Sequence, residues 1–213
     1  MNKKSVSSTV KLIVFLLIIM AGAGYLIWSG GSRRSVAGIR EPVQGDASGG
    51  TKMTAAGYSV EVTYLASYDI EGLVVHRKKY GGSGIGASLA PVDLALAWGS
   101  VAANNNNINF HWKQSGRWVY WRVYDISDLA PVGGEADVDR QSSNNHIVPA
   151  NETIRTKVKK VRRGDHIRIK GYLVDIHAEK PDGSYFNWGS STSRDDTGDG
   201  ACELIYVTDI EWL

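Results

Sequence analysis

Residues 164–174 read Gly164-Asp165-His166-Ile167-Arg168-Ile169-Lys170-Gly171-Tyr172-Leu173-Val174 (GDHIRIKGYLV). Ile167, Ile169 and Leu173 fall on one face at period two, with His166, Arg168, Lys170 and Tyr172 on the other, the pattern of a strand lying on a core. The strand is predicted over Asp165–Ile176. The preceding stretch changes period. Asn151 can cap a helix, Ile154, Val158 and Val161 follow at i, i+4 and i+7, and Gly164 ends it. Residues 183–190 approach a polar connection, and Cys202–Leu213 alternates as a closing strand.

Toward the N-terminus the β signals recur. Tyr58–Tyr64 and Tyr68–His76 are rich in β-branched and aromatic residues, and Gly72 suits a bulge in a long bent strand. Ser88–Gly99 reads as a short helix, with Pro91 in its first turn and Gly99 at its end. Residues 108–112 and 118–124 flank Ser115-Gly116 as an aromatic-dense hairpin, and residues 127–145 read as a surface excursion. GGSGIGAS (residues 81–88) lacks both the P-loop lysine and a dinucleotide fingerprint, so it reads as a plain loop. These elements predict a mainly β domain, a small OB-like closed or partly closed barrel with one or two short helices.

The N-terminus is different in kind. Leu12–Trp28 is an apolar run of 17 residues, with Lys3, Lys4 and Lys11 before it and Arg33 and Arg34 after it. That is the short end of a membrane-spanning length, and Tyr25 and Trp28 sit where an aromatic belt would. Ala21-Gly22-Ala23 offers the competing reading of a cleaved signal peptide, but the apolar run continues past it. The expected organisation is a cytoplasmic N-terminus (1–11), a transmembrane signal anchor (12–28), a Gly/Ala/Ser-rich flexible tether (29–57) and an extracytoplasmic β domain (58–213). This places the chain in a bacterial cytoplasmic membrane, with the domain periplasmic if the cell is Gram-negative.

Charge supports the division. The chain carries 24 basic and 22 acidic residues. Five of the basic ones precede residue 35 and all the acids follow it, so the remainder is net −3. Wholesale nucleic-acid binding is therefore not implied. Eight basic residues nevertheless crowd residues 155–170. Lys157, Lys159, Lys160, Arg162 and Arg163 would form a cationic helix face, suited either to an anionic lipid or polymer near the membrane or simply to solvation. Among the aromatics, Trp118 and Trp121 cannot share a strand face, so one of them is the expected stacking surface for an envelope partner, if the rings are not all core.

The one cysteine, Cys202, lies in Ser193-Arg194-Asp195-Asp196-Thr197-Gly198-Asp199-Gly200-Ala201-Cys202-Glu203 (SRDDTGDGACE). It could act as a nucleophile with His146 or His166 as base, but the surrounding carboxylates disfavour a thiolate. Asp195 and Asp199 fit the start of a calcium loop that lacks its final bidentate glutamate, so no metal and no cofactor is expected. No histidine pair has zinc-site spacing.

The segments Ala90–Gly99, Asn145–Asn151, Gly164–Val174 and Ser193–Glu203 together resemble an uncharacterised family of bacterial single-pass membrane-anchored proteins with an OB-like β domain. The resemblance covers about residues 58–210 and implies no assigned activity. GDHIRIKGYLV is separately similar to the strand that follows the helix in many OB-type barrels. A polar histidine loop ahead of Gly-x-Cys resembles the layout of cell-wall L,D-transpeptidases, from which Glu203 after the cysteine departs. The function expected is a membrane-tethered binding or scaffold module meeting an envelope protein or an anionic surface. The alternative is an envelope enzyme using Cys202.

Overall fold

The longest element, β3 (Tyr58–Lys79), is a single 22-residue strand that bends because extra residues interrupt its pairing at two points. The shifts lie between Tyr64 and Ala66 and between Val74 and His76, rather than at Gly72. Gly72 instead admits Leu96, whose Cβ would stand 3.0 Å from an added methyl. This computed structural model describes residues 12–16, 33–193 and 202–213.

Two units are present, Met1–Ser32 and Arg33–Leu213. Of the first, residues 12–16 are described, and they are helical with exposed side chains. Among the described residues no helix is long and apolar enough to cross a membrane. The rest of the expected span lies outside them.

The second unit is mainly β with a few short helices. The elements before the core of the sheet are β1 (Val43–Asp46) and β2 (Gly50–Ala55). After β3 come α1 (Ile85–Leu89), β4 (Val92–Ala97), α2 (Gly99–Asn104) and the hairpin β5 (Lys113–Ser115) and β6 (Trp118–Tyr120). A 3₁₀ turn (Ile126–Val132), α3 (Glu135–Arg140) and β7 (Ser142–Pro149) follow. The chain closes with α4 (Glu152–Val158), β8 (His166–Glu179), β9 (Tyr185–Gly189) and β10 (Glu203–Trp212).

Five strands close a ring in the order β3-β4-β7-β10-β8 and back to β3. All pairs are antiparallel except β7 with β10. The β3–β8 seam is the longest, running from Ser59↔Glu179 to Leu73↔His166. Ile70, Ile147, Ile167, Ile169, Leu173, Ile205 and Val207 are fully buried in the main core. Each contributes on the order of 1.5–3 kcal/mol of burial. α4 contributes Ile154 and Val158 to the same core, followed by Val161, as its i, i+4, i+7 stripe requires. The Asn151 side chain caps this helix by accepting from the Ile154 N–H at 3.0 Å.

Three sequence expectations are corrected. Residues 92–97, expected as helix, form β4 with every side chain buried. The 44-residue excursion between β4 and β7 (residues 98–141) explains this, because its Ile108, Phe110, Leu129 and Val138 join the core and help cover the strand's second face. A strand buried on both faces loses its alternation and reads as a continuous apolar run. The tether is the second correction. Residues 33–57 belong to the compact unit, with β1 and β2 paired to β3, Ile39 buried and the Val36 N–H donating to Ala102 O at 3.0 Å. Third, the basic helix stops at Val158, and residues 159–163 continue as turn and loop.

Candidate functional site

The β5–β6 hairpin turns through Gly116 and Arg117, at φ +58° and +72°. Left-handed backbone at both central residues is what a tight two-residue hairpin demands, and glycine takes it without strain. Arg117 does not, so its side chain must be held. It is. Nη1 donates to Asp93 Oδ1 at 2.7 Å, and Nη2 donates to Gly86 O at 2.9 Å and Ala90 O at 3.0 Å. The guanidinium also lies 3.8 Å from the Tyr80 ring centroid and 4.9 Å from that of Trp188.

Asp93 is completely buried. It sits on the covered face of β4 directly across from His146 on β7, and His146 Nδ1 is 3.0 Å from the same Oδ1 that Arg117 engages. Burial, and then the charge of Asp93, push the Tyr80 phenol well above the ordinary tyrosine range.

A second polar chain pins the hairpin from the other side. His76 Nδ1 is 2.9 Å from Gln114 Oε1, Gln114 Nε2 donates to Asn144 Oδ1 at 2.6 Å, and Asn144 Nδ2 donates to Arg117 O at 2.7 Å. Cys202 ends this chain: its thiol lies 3.6 Å from Asn144 Nδ2 and 3.8 Å from Arg117 O. Parallel pairing of β10 with β7 sets that geometry, since Glu203↔Asn145 and Leu204↔His146 bring the cysteine alongside Asn144.

Of these groups Arg117, His146 and Cys202 line a cleft of about 390 Å³. Arg117, Trp118, His146 and Cys202 face Phe186, Trp188 and their neighbours on β9. Trp188 tilts over the His146 ring at 4.8 Å and meets Phe186 edge-on at 6.0 Å. The walls are thus aromatic. The cation in the cleft is already neutralised, and what remains for a ligand is neutral hydrogen bonding.

The sequence candidates separate into different places. His146, Cys202 and Trp118 share this cleft, whereas His166 lies at the start of β8, 2.8 Å from Glu71, and does not line it. Trp121 and Arg163 line a second cleft with Lys113 and Arg122. Lys157 donates to Ile210 O at 3.1 Å beside Asp209, while Lys159, Lys160 and Arg162 are exposed. Asp195 and Asp199 lie outside the described residues, and among those described no group of three or more candidate ligands could hold a metal ion. Asp93 and Arg117 were not foreseen. A signal for Asp93 exists, since it is the lone charge in an apolar run, Leu89–Trp98. A comparison with protein-family models, curated proteins and solved structures gives no match to this chain.

Proposed function

We propose that the chain is a membrane-tethered, extracytoplasmic binding module built on an OB-type barrel, and that the cleft beside Trp188 takes a neutral glycan of the cell envelope. The barrel type is supported by the strand ring. Taking β3, β4, β7, β8 and β10 as strands one to five, the ring order is 1-2-3-5-4, strands three and five are parallel, and α4 falls between three and four. Barrels of this kind bind oligosaccharides and oligonucleotides over strands two and three, between the loops joining one to two and four to five. Here Gly86 comes from the first of those loops, His146 from strand three and Phe186–Gly189 from the second loop.

The ligand class follows from one observation: the cleft's guanidinium is paired with Asp93 and donates to two carbonyls, while the surfaces left are Trp188, Phe186 and Trp118 with His146 and Asn187. Aromatic faces flanked by neutral donors and acceptors suit a sugar ring, which carries apolar C–H faces and hydroxyls but no charge. Titrating the full-length protein with chitotetraose while following tryptophan fluorescence tests this. Saturable quenching that disappears in Trp188→Leu and survives in Trp121→Leu is expected. Absence of saturable quenching in the wild type overturns it.

A second reading rests on His146 and Cys202 lining one cleft with Asp93 behind the histidine, the arrangement of a thiol enzyme. The thiol's proximity to Arg117 O favours the protonated form, which weighs against it. Iodoacetamide alkylation whose rate is already at its plateau at neutral pH, and which collapses in His146→Ala, would establish the enzyme. A rate that climbs with pH as an ordinary thiol's does removes it.

A further inference from the structure

The second cleft, of about 810 Å³, is built by the excursion rather than by the barrel loops. Lys113, Arg122 and Arg163 converge on it with His111, Tyr120 and Trp121, and no carboxylate lines it. Several cations elsewhere in the domain are matched: Arg117 with Asp93, Arg168 with Asp69, Arg155 with Glu152, Lys157 with Asp209 and Lys52 with Glu61. Those of this cleft are not. Among the described residues Lys113, Arg122 and Arg163 have no ion pair, and Arg163 Nε is buried without a hydrogen-bond partner.

Two acids of the neighbouring segments already accept from indole N–H groups. Asp139 accepts from Trp121 Nε1 at 2.8 Å, and Asp165 accepts from Trp212 Nε1 and from the Arg162 backbone N–H, both at 2.8 Å. A half-buried guanidinium without a counter-charge is destabilising unless an anion supplies one. Burial, and then the charge of Arg33, lower the Arg163 guanidinium, as expected for a cation held among cations.

We propose that this cleft binds the phosphoryl group of a ligand whose ring rests on Tyr120 and Trp121. Arg163 and Arg122 offer guanidinium forks to the phosphoryl oxygens and Lys113 an ammonium. Asn109 Nδ2 stands 3.0 Å from His111 Nε2, an arrangement that puts the imidazole proton on Nδ1 as a further donor. Tyr120 is about half exposed and Tyr124, stacked edge-on with His111 at 4.7 Å, is 79% exposed, so aromatic surface stands at the rim. The first cleft differs in kind, because its one cation is consumed internally.

The experiment is a thermal-shift and calorimetric titration of the full-length protein with pyrophosphate at low ionic strength. Wild type is expected to show a saturable rise in Tm, and affinity is expected to fall by about tenfold or more in Arg163→Met and in Lys113→Gln/Arg122→Gln. Without ligand, Arg163→Met should melt no lower than wild type, because it removes an unpaired half-buried charge; a merely structural arginine would melt lower. The exposed double variant keeps the test valid should Arg163→Met fold poorly. Vesicles of phosphatidylglycerol separate the sources. Vesicle binding displaced by pyrophosphate identifies a lipid headgroup, and pyrophosphate binding without vesicle binding identifies a soluble phosphoester. No response to either probe, or equal responses in wild type and both variants, overturns the proposal.

Discussion

Replacing Arg117 with methionine removes the contacts that hold the hairpin over the barrel. Lost are the 2.7 Å bond to Asp93, two bonds to carbonyl oxygens and the stacking on Tyr80 and Trp188. Asp93, with no exposed surface, is then left without its guanidinium partner, with His146 Nδ1 3.0 Å away. Removing one partner of a buried pair costs about 3–5 kcal/mol. Because 21% of the Arg117 side chain reaches solvent, the lower end applies, about 3 kcal/mol. For a domain of this size that lowers Tm by about 6–12 °C. Urea unfolding followed by tryptophan fluorescence measures it, in a cycle with Asp93→Asn and the double variant. The double should be less destabilised than the two singles combined by about 1.5–3 kcal/mol. If Arg117→Met costs less than about 0.5 kcal/mol, or if the two changes simply add, the pair does not anchor the hairpin.

Three other consequences follow from the same geometry. Gly171→Ala would set a methyl 2.0 Å from Tyr206 O across the β8–β10 seam, so the strands must part, lowering stability by about 2 kcal/mol or more in the same urea assay. Hydrogen bonds from Arg168 to both oxygens of Asp69 hold that carboxyl below its usual range. Its contribution is present above the unfolded aspartate pKa of about 3.9 and is lost as pH falls through the lower folded value. Asp69→Asn should therefore be less stable than wild type at neutral pH and converge with it in acid. Tyr80, held high, contributes stability that is complete below about pH 10 and is lost as pH rises beyond it. Tyr80→Phe should flatten that alkaline decline, and ultraviolet titration should find fewer tyrosines ionising at pH 11 in the folded wild type than after unfolding, with the deficit smaller by one in Tyr80→Phe.

How much of this was legible in the residues depended on whether neighbours in space were also neighbours in sequence. The β8 alternation and the Asn151 cap are local signals, and both correspond to what the chain forms. β4 was not legible. Its second face is buried by residues 98–141, and a strand with both faces covered carries the same apolar run as a short helix. The stretch Ser35–Gly57 looks like linker by composition, yet it docks through Ile39 and through backbone pairing that composition does not encode. The cleft shows the same limit. His146 and Cys202 stood out as types, but Arg117 stood among aromatics in a turn, and its partner Asp93 is 24 residues away. The cationic cluster was visible as a run, while the separation of Lys157, engaged at Ile210 and Asp209, from Arg163, in a cleft of its own, needed three dimensions.

Indole resonances of the full-length protein, followed by ¹⁵N–¹H correlation during addition of chitotetraose, test the glycan cleft most directly. Trp112, Trp121 and Trp212 donate their Nε1–H to Asn105, Asp139 and Asp165, away from the cleft, and serve as internal controls. The Trp118 and Trp188 indoles should shift together and saturate while those three stay in place. Movement of Trp112, Trp121 or Trp212 instead, or no movement of any indole at saturating sugar, contradicts the account.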